Sequence, residues 1–338
     1  MPYPIEDKLV IAIASSALFD LSESNQVYLD KGTEEYRKFQ REHENVPLQP
    51  GVAFPFVKRL LGLNDSANND EPVEVILLSR NDPDTGNRVF RTIQSYGLPI
   101  TRAAFVSGRA SYRYIDAFNG CLFLSANQSD VEEALASRYP AGRVLRSTFA
   151  DDGQDRELRV AFDFDGVLID DEAERVYQTG GLGAFQEAEA KMAWQPHTQG
   201  PLQRFFNELA KLQKREIRKA ELNRTYKPLI RTAIITARNA PAHERLVTTL
   251  REWGIQPDET FLLGGMDKSR ILRVFKPHLF FDDQMTHLEN ATDVAPCVHV
   301  PFGINNKRTV IEKTVATKLT PEARPLEVIA VEQRGERM

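Results

Sequence analysis

Two cysteines in 338 residues, Cys121 and Cys297, leave no material for a disulfide framework or a four-cysteine zinc site, and point to a reducing, cytoplasmic setting. The six histidines form no convincing metal pair: His278 and His287 lie near Asp282-Asp283, but not at zinc-ligand spacing. No apolar run approaches the ~18 residues of a membrane helix. Leu9–Phe19 imitates a signal-peptide core, but the side chains before it sum to −1 where a leader is basic. Positive charge is not in excess either. Lys and Arg number 43 against 48 Asp and Glu, a net of −5 that argues against a general nucleic-acid binder. Absent too are a G-x-G-x-x-G dinucleotide loop and a G-x-S-x-G nucleophile elbow. Gly264-Gly-Met-Asp-Lys-Ser269 lacks the glycines a phosphate loop needs before its lysine.

What remains is an ordinary globular composition, 41% hydrophobic and 27% charged, in a chain long enough for two domains at about 150 residues each. Self-comparison divides it. Val10–Asp20 lines up with Val160–Asp170, Val27-Tyr28 and Gly32 with Val176-Tyr177 and Gly181, and Pro47 and Gly51 with Pro196 and Gly200. Further on, Ile76–Asn81 meets Ile234–Asn239, Tyr96–Leu98 meets Trp253–Ile255, Phe105–Gly108 meets Phe261–Gly264, and Leu122–Gln128 meets Phe280–Gln284. The order is kept and the offset drifts only from 149 to 158, so the chain reads as two related halves. We expect one half over 1–150, a second over 151–305, a polar boundary within 147–157, and a charged tail over 306–338.

Short apolar runs alternate with helical-period segments, which predicts a doubly wound α/β fold with a parallel sheet. In the second half the expected strands are 159–163, 231–236, 260–263, 279–282 and 297–300, with helices over 240–253 and 267–275. In the first half the strands are 9–14, 73–79, 103–106 and 121–125. Ligands bind such sheets outside the carboxyl ends of the strands. Asp163-Phe-Asp165-Gly ends the first strand of the second half, Thr236-Ala-Arg238 the second, and Asp282-Asp283 the fourth, while Lys268 opens the helix after the third. Singly these are weak signals. A second D-x-D occurs at Asp82-Pro-Asp84, threonine is common in strands, and a lone helical lysine is usually solvated. In this order, at successive strand ends, they predict one cleft.

These four elements resemble the motifs of the haloacid dehalogenase superfamily of phosphohydrolases, and the whole chain resembles the type I cytosolic 5'-nucleotidases. The longer resemblance lies in Ala53–Lys58, Arg159–Leu168 with Asp171-Glu172, Gln199–Leu202, Leu250–Gly254 and Pro277–Met285. It implies two Rossmann-like halves and a Mg²⁺-dependent 5'-nucleotidase acting on AMP or a related nucleoside 5'-monophosphate. Asp163 would be the nucleophile and Asp165 the general acid/base, with Thr236 and Lys268 holding the phosphoryl group. Mg²⁺ would rest on Asp163, the Asp165 carbonyl, Asp282 and Asp283, the last two not ranked. Chemistry runs the same way: a dianionic ester attacked by a carboxylate needs its charge neutralised, and two carboxylates divide nucleophilic from proton-transfer work.

Opposite these residues the first half has Ile13, Ser15, Leu78, Tyr112, Ser125 and Ala126, which holds no charged group and suggests a structural, dimerising or regulatory copy. Residues 170–230 exceed a crossover connection, and the resemblance implies that an insertion here forms a cap that selects the leaving group. Phe185 and Trp194 either stack on a base or pack the cap, and Arg238 is a further candidate for substrate binding. The basic run Lys211–Lys219 reads as the solvated face of a cap helix. Two rival readings are the same chemistry on a sugar phosphate or other small ester, and a nucleotide-sensing module without turnover. No nucleic-acid or membrane partner is expected, and homo-oligomerisation stays open.

Overall fold

The computed structural model describes residues 3–151 and 153–306. Of the tail expected over 306–338, all but the first residue lies outside the described residues. From the N-terminus run β1 (Leu9–Ile13), α1 (Ser15–Leu18), β2 (Phe19–Asp20), α2 (Ser22–Glu42), β3 (Gln49–Pro50), α3 (Phe54–Leu61), β4 (Val73–Ser79), α4 (Pro83–Ser95), β5 (Arg102–Phe105), β6 (Leu122–Ser125), α5 (Gln128–Ala136) and β7 (Ala141–Val144). There follow β8 (Leu158–Phe162), α6 (Glu172–Lys191), α7 (Gln203–Leu222), β9 (Ile230–Thr236), α8 (His243–Trp253), β10 (Glu259–Leu262), α9 (Ser269–Phe275), β11 (Leu279–Asp282), α10 (Met285–Ala291) and β12 (Cys297–His299).

Ten of these strands form one sheet in the order β10-β9-β8-β11-β12-β7-β6-β1-β4-β5, a mixed α/β, Rossmann-like arrangement. Every neighbouring pair is parallel except β12 and β7, which run antiparallel. The continuous apolar runs β1, β4, β8 and β11 are buried along their whole length, as strands covered on both faces must be. The edge strands β5 and β10 are only partly covered. One apolar cluster runs across the seam, from Ile11 and Leu77 through Val144 and Val298 to Phe162 and Phe281.

The seam strand β7 is missing from the sequence reading. Ala141-Gly-Arg-Val144 has no apolar run to give it away, and its glycine serves the junction: a Cβ on Gly142 would fall 2.3 Å from Val298 Cγ1. On each side of the seam the strand order outward is the same, β7-β6-β1-β4-β5 and β12-β11-β8-β9-β10. The helices α2 and α6 are each broken at one residue, Gly32 (φ 82°) and Gly181 (φ 70°).

Strand register corrects two of the pairings drawn from sequence. β1 pairs Ile13 with Leu77 and Leu124 where β8 pairs Phe162 with Ile234 and Phe281, so Ala14 rather than Ile13 stands opposite Asp163. By the same register Ser79, not Leu78, stands opposite Thr236, and its Oγ accepts from Asn81 N as Thr236 Oγ1 accepts from Arg238 N. Just past the strand the offset becomes 150 at Ala17 and Val167, whose carbonyls accept from Ala53 N and Leu202 N. Asp163-Phe-Asp-Gly166 is therefore one residue longer than Ala14-Ser-Ser16. Alignment by residue type slid over that insertion.

Candidate active site

β8 pairs with β9 on one side and β11 on the other. The chain thus winds away from β8 in both directions, and the crevice at such a switch point opens beyond the strand's carboxyl end. Asp163 is the first residue there. Its N–H still donates to Phe281 O at 2.7 Å, which ties it to the sheet, and its Oδ1 accepts from Phe164 N at 2.7 Å. Its Oδ2 lies 2.8 Å from Lys268 Nζ, and the same nitrogen lies 2.7 Å from Asp282 Oδ2. Three elements that meet only at the strand ends, the β8 terminus, the start of α9 and the end of β11, thus place one ammonium between two carboxylates. All three residues are buried. Thr236, wholly buried at the end of β9, completes the rim.

Asp282 is saturated. Besides Lys268 it accepts from Gln284 N at 2.9 Å and lies 3.2 Å from His287 Nδ1. Asp283 is buried, yet its Oδ1 has no hydrogen-bond partner. Its backbone carbonyl is pinned by Asn306 Nδ2 at 3.0 Å and His299 Nε2 at 3.1 Å. Its carboxyl packs against Gly166, where φ is +69° and a Cβ would lie 2.7 Å from Asp283 Cγ. Gly166→Ala is expected to cost roughly 2 kcal/mol, from left-handed backbone strain and displacement of that carboxyl. Urea denaturation checks this; an unchanged midpoint would mean that the loop relaxes freely.

Four charged groups this close in a dry site distort one another. Burial pushes the Asp163 carboxyl up to about 7, with Asp282 and Asp165 adding to the rise and Lys268 opposing it. Burial, then the Asp282 and Asp163 charges, hold Asp283 well above the carboxylate range. For Asp282 burial is outweighed by Lys268 and His287, which leave it below the ordinary value. Burial would lower Lys268, but the Asp163 and Asp282 charges win and raise it. The cluster has more negative charge than Lys268 neutralises. Its chemistry, an orphaned carboxylate oxygen among oxygen donors, fits a hard divalent cation. Asp163, Asp282 and His287 offer ligand atoms within 4.8 Å of one another. The sequence reading noted His287 near Asp282-Asp283 but set it aside as a metal ligand on spacing; its position five residues past Asp282, at the opening of a helix, is what brings it back to that carboxylate.

Asp165 points to a second charged group. Arg238 donates to it through Nε at 2.8 Å and Nη2 at 2.7 Å. Its Nη1 donates to Glu189 and the Ala242 carbonyl, so four of the five N–H donors of the guanidinium proposed from sequence for substrate go to protein. The Phe185 ring lies 5.3 Å from that guanidinium. Trp194 is 78% exposed and packs no cap core. The run Lys211–Lys219 is only partly solvated: Arg215 and Lys219 reach Asp70 of the first half, and Gln213 and Glu216 are buried. Gln128 and Arg143, also from the first half, share a cavity of about 520 Å³ with Asp283, His299 and Asn306. Nothing in sequence announced them, because only the antiparallel seam brings β7 beside β12.

Residues 1–307 match the sequence profile of the 5'-nucleotidase family. Human cytosolic 5'-nucleotidase 1B is 35% identical over 314 residues, covering 90% of this chain and 51% of that protein, so the chain spans about half the length of that relative. No solved structure gives a significant match. With a buried cluster of carboxyl groups and a lysine at the switch point and a family match that spans all its described residues, the chain belongs to the 5'-nucleotidase family.

Proposed function

We propose that the protein is a phosphoric monoester hydrolase that converts nucleoside 5'-monophosphates, AMP-like, to nucleoside and phosphate in the cytoplasm. The observation that carries this is the buried cluster of Asp163, Lys268, Asp282 and Asp283 at the carboxyl ends of β8 and β11. Family membership supplies the substrate class. We read the two sides of the sheet as duplicated haloacid-dehalogenase-like halves, the first without catalytic groups. Matching strand orders and the paired breaks at Gly32 and Gly181 support that reading. The cap is α6 with the segment after it. α7 belongs to the sheet, because Phe205 and Phe206 pack on Phe162 and Phe281.

Asp163 attacks phosphorus in line. A bond forms from its carboxylate oxygen to phosphorus, the bond from phosphorus to O5' breaks, and the electron pair leaves on O5' with a proton delivered by Asp165. Water then gives its proton to Asp165 and attacks the aspartyl-phosphate, which releases phosphate and restores Asp163. Lys268 and the Thr236 hydroxyl hold phosphoryl oxygens as charge develops. Asp163, the Asp165 carbonyl and Asp283 would hold Mg²⁺, which supplies charge neutralisation for a dianionic group meeting an anionic nucleophile. The orphaned oxygen of Asp283 favours it as a direct ligand, while Asp282 fixes Lys268.

Phosphate release from a panel of nucleoside monophosphates and sugar phosphates tests the proposal. Turnover on nucleotides that chelation abolishes and Mg²⁺ restores is the expected result. Turnover confined to sugar phosphates would discard the substrate class, and nucleotide binding without turnover would discard the enzyme.

A further inference from the structure

Beside the phosphoryl cluster three charged side chains that meet one another are nearly inaccessible: Glu189 and Arg245 at 2% exposure, and Arg238 at 3%. Glu189 is the only charged residue of α6 that is buried, on a helix whose other buried residue is Ala173. It holds Arg238 through one oxygen and Arg245, at 2.9 Å, through the other, while His197 Nε2 stands 3.1 Å away. These partners overcome the cost of burial and hold the Glu189 carboxyl down at about 2. Arg238 is fixed on every side. The Phe164 and Phe185 rings lie 5.2 and 5.3 Å from its guanidinium carbon, Glu189 and Ala242 O take Nη1, and the fork of Nε and Nη2 closes on both oxygens of Asp165.

A planar fork specifies the plane of a carboxylate in a way that a point charge does not. Each Asp165 oxygen keeps a second lone pair beyond the one that Arg238 occupies, and the Asp165 side chain is 22% exposed toward the crevice. Held so, the carboxyl needs no reorientation to receive or deliver a proton. We propose that Arg238 and Glu189 are positioning residues for Asp165, through which the seating of α6 is transmitted to the acid/base carboxylate. This rests on the phosphohydrolase reading above. It departs from a substrate-binding Arg238, because four of the five donors of this guanidinium go to protein oxygens.

Leaving-group dependence separates positioning from mere stability. A nucleoside 5'-alkoxide must be protonated to leave, whereas p-nitrophenolate leaves without a proton. Proton transfer by a positioned side chain contributes ~10²–10⁴-fold. Glu189→Gln and Arg238→Lys are therefore expected to lower kcat on AMP by roughly 10- to 100-fold, part of that contribution, with KM little changed. In the first-turnover burst of p-nitrophenolate from p-nitrophenyl phosphate, read before the aspartyl-phosphate is hydrolysed, the loss is expected to stay within about threefold, since that leaving group needs no proton. Glu189→Gln removes the counter-charge shared by two buried arginines and risks unfolding; Arg238→Lys keeps the charge, loses only the fork, and decides the question if the other variant does not fold. A burst slowed as much as AMP turnover, no loss on AMP, or a raised KM for AMP with kcat spared would overturn the proposal. A wild-type protein inactive on both esters would instead overturn the phosphohydrolase reading, and this inference with it.

Discussion

Asp163→Asn is expected to abolish phosphate release, by at least ~10³-fold, because the amide has no anionic oxygen to attack phosphorus and no other group can take over a nucleophile's step. The folded state is expected to survive. Asn is isosteric, its side-chain oxygen can still accept from Phe164 N, and Lys268 retains Asp282 at 2.7 Å. Burial among other carboxylates already makes ionised Asp163 unfavourable, to the point that its carboxyl titrates near 7. Removing that charge therefore relieves a crowded site, unlike breaking an ordinary ion pair. The measurement is phosphate release beside a thermal melt, with a wild-type sample quenched during turnover to look for a hydroxylamine-labile phosphoryl group on the protein. An active Asp163→Asn variant, or a wild-type protein with no such adduct, would remove Asp163 from the nucleophile's role.

Much of this site is legible in sequence because of where its residues fall. An apolar strand fixes the position of its last residue in space, so Asp163, Thr236 and Asp282 could be placed at one sheet edge before any side chain was seen. Lys268 followed from the same logic, one helix start further on. What was illegible depends on contacts that no strand pattern encodes. β7 is four residues with a glycine in the middle, and only its pairing with β6 and β12 reveals it. The slip at Ala14 came from a single inserted residue inside the D-x-D-G loop, and the slip at Ser79 from matching Arg80-Asn81 to Arg238-Asn239 by residue type. Glu189 lay inside a helix that composition reads as solvated, and its burial comes from arginines 49 and 56 residues away.

Lys268 offers the sharpest test of whether a cation belongs in this cluster. Lys268→Met keeps the length and apolar stem of the side chain but leaves Asp163, Asp282 and Asp283 facing one another with no positive charge between them. Replacing a whole buried ion pair by apolar groups is often neutral, whereas deleting one partner costs about 3–5 kcal/mol because the other charge stays buried. We therefore expect a large fall in melting temperature for the chelated variant, and a loss of phosphate release on the order of 10²–10³-fold, the scale seen when a preorganised transition-state charge partner is removed. The deficit in melting temperature should shrink when Mg²⁺ is added. A divalent ion bound only to the folded cluster stabilises it by mass action, and it does most where the most negative charge is uncompensated. Melts of wild type and variant in chelator and across a Mg²⁺ titration read this directly. A deficit that is the same at every Mg²⁺ concentration would mean that the ion does not share the lysine's electrostatic work, and would remove Asp163 and Asp283 as its ligands while leaving the nucleophile assignment to stand on the Asp163→Asn result.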